Sequence, residues 1–541
     1  MKKSRKNPLL VLLPLTIMSV VVPFILTPWM RRISLLDSRL SMLAHANVAV
    51  WLIVLWWALH HLVYQLTSLF RGVANPLLAT PHSDVRIAVL YLTCDDFQKH
   101  ACESCVQQNY PADHFQVIIC DDSQETKYLK QIDDFALEYP QVTVMRRITR
   151  VGFKAGNLNH AIAKVVKEPW VVIIDADQTL PPTYLAALAG EISHQGSQVA
   201  FVQMAHEPDH LRPGESAKAS VKQLPTHTAF QQAMGYEILT IYQRDLSLRN
   251  RCGFLPLLGH GAGVRRDSWE KIGGFPELVS EDYAFALAAS TNGLAGVYSE
   301  AIHSWEAFPK DFGAFLVRLC KFASGGAELF RRAVLWRFIF SGNVSVVEKL
   351  DFLMLLLWYP LMPALVANGF LSAYVCHRFW ELEIPVLHPF LPYLFLSMLL
   401  LTMLVLMSVT RHPWLAARYW LWASAIYSAS MPVAACCFLR YLFGSRPSFE
   451  RTPKGDQESS SFNAISILMV LFGLVTLGLG KLWWSPFSPV IAAYGIAYVT
   501  FPLYRCLNAP FFLGQLIRVI ICLPGGLLLW GLYTMWQWGR L

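Results

Sequence analysis

Val171-Val-Ile-Ile-Asp-Ala-Asp177, continued by Gln178-Thr-Leu-Pro, decides how the rest of the chain is read. Four apolar, β-branched residues describe a buried strand, and two carboxylates stand where such a strand ends. In an open α/β sheet, ligands bind outside the carboxyl ends of the strands. Asp-x-Asp at that place offers hard oxygen ligands to a divalent cation, and a cation so held neutralises a diphosphate. Taken alone, the pair reads equally well as solvated turn residues. Its company has to decide.

That company is a membrane protein's. Of 541 residues, 54% are hydrophobic and 15% charged, with 18 Trp and a mean hydropathy of +0.38, values that suit a membrane protein. The formal net charge of +8 fits the basic excess of cytoplasmic loops. No basic stripe interleaved with aromatics accompanies it, so nucleic acid is not an expected partner. The cysteines are scattered. Cys102-x-x-Cys105 has no second Cys or His pair nearby and is a poor zinc candidate.

In chain order, Lys2, Lys3, Arg5 and Lys6 precede an apolar run from Leu9 to about Pro28. That run is too long, and lacks the small-residue site, for a cleaved signal. It reads as a first spanning helix with a cytoplasmic N-terminus, and a second follows from about Ala44 to Leu69. From about Asp84 to Arg332 no run is long enough to span a bilayer, and short β-branched segments alternate with helical patterns, which is α/β texture. Expected strands are Val85 to Tyr91, Phe115 to Cys120, Val142 to Met145, Trp170 to Ile174 and Val199 to Gln203, with a helix over Gly156 to Val166. Apolar runs return at about Phe352 to Cys376, Pro389 to Met407, Trp414 to Leu442, Ile465 to Trp484, Val490 to Tyr504 and Phe512 to Met535. Seven or eight crossings result, and Trp414 to Leu442 either crosses or lies in the interface. The expected units are 1–75 (transmembrane), 76–332 (soluble), 333–443 (transmembrane and interfacial), 444–462 (a cytosolic loop) and 463–541 (transmembrane).

Within the soluble unit, Ile119-Cys-Asp121-Asp122-Ser123 is a second strand ending in acids, suited to a nucleobase or ribose. Gly152-Phe-Lys154-Ala-Gly156-Asn157-Leu-Asn159 is a glycine-punctuated loop opening a helix. Its backbone amides and Lys154 suit an anion, and it also reads as an ordinary turn and cap. Ser280-Glu281-Asp282 reads either as a helix N-terminus or as the place of a general base that deprotonates an acceptor hydroxyl. His206, His210 and His260 are read as loop or packing residues.

The ordered series Asp121-Asp122-Ser123, Lys154-Ala-Gly-Asn157-Leu-Asn159, Asp175-Ala-Asp177, Gly273-Gly-Phe-Pro and Ser280-Glu-Asp282 resembles the membrane-embedded family-two glycosyltransferases, a group that includes bacterial cellulose synthase and related glucan synthases. The resemblance implies a GT-A-type, Rossmann-like mixed sheet in a cytosolic domain inserted into a transmembrane helical bundle. The implied activity is an inverting transfer from a UDP-sugar, UDP-glucose favoured, with Mg2+ or Mn2+. The growing polysaccharide is the acceptor and crosses a bacterial inner membrane, with any periplasmic or regulatory export subunit supplied by another chain.

Residue by residue, the resemblance puts Asp121 and Asp122 at the uridine, Lys154 near the diphosphate, and Asp175 and Asp177 at the sugar nucleotide, with Asp177 on the metal. Asp282, beside Glu281, takes the place of the base. Thr93 and Asp96 stand in the first nucleotide-binding motif, where Leu92-Thr-Cys-Asp-Asp96 departs from the family's Pro-Thr-Tyr-Asn-Glu. Phe449, Thr452 and Lys454 match a gating loop. Arg318-Leu-Cys-Lys321-Phe322 replaces Gln-x-x-Arg-Trp at the acceptor and diphosphate, with Lys lacking the bidentate fork of Arg and Phe a smaller platform than Trp. That change keeps open the transfer of one sugar to a lipid-linked acceptor. A transporter or assembly subunit with an inactive transferase unit is the other alternative.

Overall fold

The computed structural model describes residues 12–20, 22, 33, 38–70, 84–212, 227–383, 391–445, 461–509 and 511–538. Seven strands form one mixed sheet: β1 Ile87–Thr93, β2 Phe115–Asp121, β3 Val142–Arg146, β4 Trp170–Asp175, β5 Val199–Pro208, β6 Ala262–Arg265 and β7 Ala295–Glu306. Their order is β3-β2-β1-β4-β6-β5-β7. The first four are parallel. β6 runs antiparallel between β4 and β5, and β7 closes the edge parallel to β5.

Every residue of β1 is buried, as expected of a strand covered on both faces. Alternation divides the sheet between two cores. Ala88, Leu90, Leu92, Val171 and Ile173 face one, and Ile87, Val89, Tyr91, Trp170, Val172 and Ile174 face the other. The first core runs on without a break through Phe315 and Leu319 into Phe352, Leu356, Trp422 and Phe438 of the apolar helices. The sheet is therefore packed onto the helical bundle and not tethered to it by a linker.

The five expected strands form: the first is shifted by two residues toward the C-terminus, and the other four run on by one to five residues at their C-terminal ends. β6 and β7 were not expected. β6 is four residues long with a glycine in it, and β7 carries Ser, Glu and His through a register shift between Met204 and Ala205 of its partner, so neither shows a clean period of two. The helix expected over Gly156 to Val166 is Phe153–Lys164.

Among the described residues, five helices are long and apolar enough to cross a membrane: Ser38–Phe70, Val346–Glu381, Pro413–Leu442, Phe462–Leu482 and Gly514–Trp538. The pair Ser488–Val499 and Phe501–Asn508, bent by 61°, makes a sixth if counted as one span. Leu391–Thr410 is a further apolar helix. Half of the Leu9-to-Pro28 run lies outside the described residues, as do Phe449, Thr452 and Lys454 of the expected gating loop. The segment that sequence left between crossing and interface is one continuous 30-residue helix with Pro432 inside it.

Polar side chains join the apolar helices where small residues allow it. Asn47 donates to Asn368 at 3.0 Å and to Ser372 at 2.7 Å, and Trp51 Nε1 donates to Ser372 at 3.0 Å. Deeper contacts centre on Asp351, which is fully buried. It receives the Arg249 guanidinium at 2.6 Å, His60 Nε2 at 2.9 Å and the Phe254 amide at 2.8 Å.

Candidate active site

The parallel strands end together. Thr93 is in register with Asp121, and Leu92 with Asp175, so two successive rows at the carboxyl edge present a hydroxyl beside one carboxylate and, one residue earlier, a second carboxylate. Thr93 donates to Asp96 at 3.0 Å, and Asp96 also accepts the Cys94 amide at 2.8 Å. Asp95, with a left-handed φ of 55°, accepts the Gln124 and Glu125 amides at 2.6 and 2.7 Å. The altered first motif thus folds into a self-satisfied turn that braces the loop after β2.

Asp121 and Asp122 are paired with arginines that sequence did not single out. Arg146 reaches Asp121 at 2.7 Å. Arg147 grips Asp122 with both prongs, at 2.8 and 2.7 Å, and reaches the carbonyls of Val151 and Phe153. This bidentate clamp ties the end of β2 to the loop that carries Lys154. Asn157 and Asn159 are anchors too. Asn157 donates to the Cys120 carbonyl, and Asn159 accepts from Trp269 and Phe275 while donating to the Phe275 carbonyl. Gly274 sits at φ +95°, where a Cβ would lie 3.0 Å from Asn159 Oδ1.

Lys154 is the hub. Its Nζ donates to Asp175 Oδ1 at 2.7 Å and to the Gly259 carbonyl at 2.8 Å, and lies 3.9 Å from Glu281. Burial pulls its pKa down, but the carboxylates of Asp175 and Glu281 outweigh burial and leave it above the ordinary value. Lys321 answers to the same acids, yet burial lowers it more than Glu281 raises it. The second cation of the site is thus the easier of the two to deprotonate.

Glu281 and Asp282 open the helix Glu281–Thr291, the helix N-terminus that one sequence reading of the motif expected. Burial first, and the charge of Asp282 second, push Glu281 up to about 7. Burial raises Asp282 as well, against the Tyr283 amide and the charge of Lys154, and that amide reaches Asp282 Oδ1 at 2.7 Å. Gly259, at φ +76°, faces Asp282 so closely that a Cβ would stand 3.0 Å from Oδ2. Behind the motif, Gly325 and Gly326 leave room for Ser280 and Tyr359, and Glu328 accepts the Val279 amide at 2.9 Å. The helix Phe312–Arg331 thereby fixes the acids while its own Lys321 joins them.

Sequence reasoning missed His260. It lies 3.9 Å from Asp175 Oδ2 and contacts Glu306 directly. Burial lowers its pKa, but Glu306 more than compensates and lifts it to about 9. Gly259 and Gly261 on either side, both at positive φ, are the signal that a side chain between them is being placed in a tight turn.

Arg318, expected at the acceptor and diphosphate, is paired with an acid of the same unit. Its charge is taken by Glu237 at 2.8 Å, which also accepts from Tyr427 at 2.7 Å, and the guanidinium lies 4.4 Å from the centre of the Phe308 ring. It braces the sheet-bearing unit against Pro413–Leu442, and Lys321 is left as that motif's cation among the acids. Phe322 is 45% exposed and is available as a platform. Cys102 and Cys105 are both buried, and burial raises both thiols. Both pack in the core on one face of the sheet.

A divalent cation suits this edge by donor chemistry. Asp175 gives only one oxygen to Lys154 and is 34% exposed, and Asp177 follows two residues later, half-buried. Both offer the oxygen ligands that hard cations take.

The chain is similar to several known proteins. The probable glucomannan 4-beta-mannosyltransferase 14 of Arabidopsis thaliana is 24% identical over 266 residues, 47% of each chain. The glucomannan 4-beta-mannosyltransferase 1 of Oryza sativa subsp. japonica is 23% identical over 249 residues, 45% of each. The chain thus spans about half the length of the curated relatives it matches. Among solved structures, the mannosyltransferase PcManGT from Pyrobaculum calidifontis, in complex with GDP-Man and Mn2+, has a TM-score of 0.49 at 18% identity, covering 75% of this chain and 100% of that one. The family model described as glycosyl transferase family group 2 matches residues 170–533, from the first residue of β4 into the last apolar helix. With that match over more than half of its length, the chain belongs to glycosyl transferase family group 2.

Proposed function

We propose that the protein is an inverting hexosyltransferase that uses a nucleoside-diphosphate sugar to extend a β-linked polysaccharide, with its active site at the carboxyl edge of the sheet. The observation that carries this reading is the convergence of Asp175, Lys154, Glu281 and Asp282, brought from separate elements around one ammonium group. In this reading Asp282 accepts the proton of the acceptor hydroxyl as that oxygen attacks the anomeric carbon. Lys154 and Lys321 supply positive charge to the departing diphosphate. Asp177 and Asp175 would hold Mg2+ or Mn2+, which supplies Lewis-acid stabilisation of the leaving group when bound. Thr93, Asp96, Asp121 and Asp122 shape the nucleotide end, and Phe322 offers its exposed face to the acceptor sugar.

The polymer would leave through the apolar helices packed on the sheet, across a bacterial inner membrane with the transferase unit on the cytoplasmic side. Phe449, Thr452 and Lys454 would cover the donor. UDP-glucose remains the donor favoured by the gating-loop resemblance, and the names of the plant relatives bring mannose beside it. Membranes supplied with labelled UDP-glucose, UDP-N-acetylglucosamine or GDP-mannose are expected to form a long product from one donor and none after Asp282→Asn. Full polymer output from that variant would refute the assignment. A product one sugar longer than its acceptor would replace polymerisation with single transfer.

A further inference from the structure

Beside Asp175, three side chains from different elements come together: His206 on β5, His260 on the Gly259–Gly261 turn and Glu306 at the end of β7. One ligand atom from each lies within 4.8 Å of the others. We propose that these three form a second metal site, distinct from the Asp175–Asp177 pair, that takes a cation of the zinc class.

The second nitrogen of each imidazole is already held, as it is in metal-ligating histidines. His260 Nδ1 lies 2.9 Å from the Leu258 carbonyl. A carbonyl only accepts, so Nδ1 carries the proton and Nε2 is the nitrogen turned to Glu306. His206 Nδ1 has the Ser304 hydroxyl oxygen at 2.9 Å, which can accept its proton while itself receiving the Gln178 amide at 2.8 Å. His206 and Ser304 are register partners on adjacent strands, so that support is built into the sheet. His206 Nε2 has the Gln203 amide at 3.5 Å, a weak contact, and the same amide lies closer to the His260 carbonyl, at 3.0 Å.

Space around His206 Nε2 is kept by Gly261, at φ +54°, where a Cβ would lie 2.3 Å from that nitrogen. The direct contact of His260 Nε2 with Glu306 is what a proton shared by two ligands makes. A cation replaces that proton, with ligand distances of about 2.0–2.2 Å.

Donor chemistry selects the occupant. Two imidazole nitrogens and one carboxylate suit zinc with an open fourth position, whereas the all-oxygen pair suits Mg2+ or Mn2+. Occupied, the site would pin the Gly259–Gly261 turn to β5 and β7, and Gly259 is the residue that faces Asp282. The inference does not depend on the sugar-transfer reading, because metal binding is measured without a donor or an acceptor.

The full chain, purified in detergent and stripped with a chelator, is titrated with Zn2+ and with Co2+. Metal content is read by mass spectrometry, and coordination by the visible absorption of Co2+. One zinc per chain is expected, with the intense spectrum of four-coordinate Co2+ and no thiolate charge-transfer band. Glu306→Gln and His260→Asn should weaken binding at least tenfold, and Asp177→Asn should leave it unchanged. The wild-type titration decides even if a variant fails to fold, since a chain that takes up no zinc overturns the proposal. So does a Co2+ spectrum with thiolate bands, unchanged affinity in a folded Glu306→Gln, or an equal loss in Asp177→Asn.

Discussion

Glu281→Gln isolates the electrostatic cost that this site imposes on the fold. Glu281 is 8% exposed, and burial followed by the charge of Asp282 moves its pKa from the ordinary 4.5 to about 7. A carboxyl raised by folding costs nothing below its unfolded pKa. The cost grows as pH climbs from that value to the folded one and is constant above it. Each unit is worth about 1.4 kcal/mol, so the cost is under ~1 kcal/mol at pH 5 and about 3 kcal/mol at pH 8. Glutamine keeps the shape and removes the charge. The variant should therefore gain about 2–3 kcal/mol more at pH 8 than at pH 5, read from denaturant unfolding in detergent followed by tryptophan fluorescence. A gain that is equal at the two pH values, or a loss confined to pH 8, would refute the reasoning. Glu281 would then be held charged by Lys154 and Lys321, and burial would not be the dominant influence.

Asp351→Asn leaves Arg249 and His60 facing a neutral group inside the protein, and loss of a partner from such a buried pair costs about 3–5 kcal/mol; the same unfolding assay should show it. Arg318→Met strands Glu237 and should destabilise by about 1–3 kcal/mol, while the donor KM stays within about twofold because Arg318 is spent on structure and not on the diphosphate. Gly261→Ala forces a left-handed φ on a residue with a Cβ and drives it into His206, at a cost of about 2–4 kcal/mol. Transfer should fall with stability in that variant. Chelation should abolish transfer, and Mg2+ or Mn2+ should restore it.

The parallel half of the sheet was legible because its inner strands β1, β2 and β4 are largely buried and so are written as short apolar runs, while the edge strand β3 keeps Val142-Thr-Val144. β6 and β7 were not. Their identity rests on pairing with β4 and β5, a tertiary fact that leaves a four-residue Ala-Gly-Val-Arg and a polar, register-shifted strand without a period of their own. In the site, Lys154, Asp175, Glu281 and Asp282 were each visible as charged residues in distinctive settings. What sequence lacked was the pairing. Arg146 and Arg147 looked like ordinary basic residues after a strand, yet they already occupy Asp121 and Asp122. His260 was read as packing because a single histidine carries no pattern, and only the fold brings Glu306, from the far end of an unexpected strand, against it. Arg318 shows the same gap: motif position suggested the diphosphate, and nothing in the sequence announced its pairing with Glu237, remote in sequence.

Asp351 links two parts of the molecule that the sequence presents as separate. It sits on Val346–Glu381, a helix able to cross a membrane, and its partners lie elsewhere: His60 on Ser38–Phe70, and Arg249 and the Phe254 amide in the transferase unit. Gly253 is required there, since a Cβ would lie 2.0 Å from Asp351 Oδ2. From Phe254 the chain runs through buried Leu255 and Leu257 to Gly259 and His260, so the segment fixed at one end by an aspartate of the apolar bundle carries at its other end the carbonyl that Lys154 holds and the glycine that faces Asp282. A displacement of Val346–Glu381 relative to Ser38–Phe70 would first meet this buried ion cluster, and only a short, packed segment separates the cluster from the acids. Coupling between the helices and the site therefore has a definite route, and it can be cut. Asp351→Asn should raise the KM for the acceptor more than that for the donor, because the Gly259 end of the segment faces Asp282, while the end of β2 that shapes the nucleotide is anchored independently by Arg146 and Arg147. Equal changes in both constants would mean that the cluster holds the fold together and nothing more.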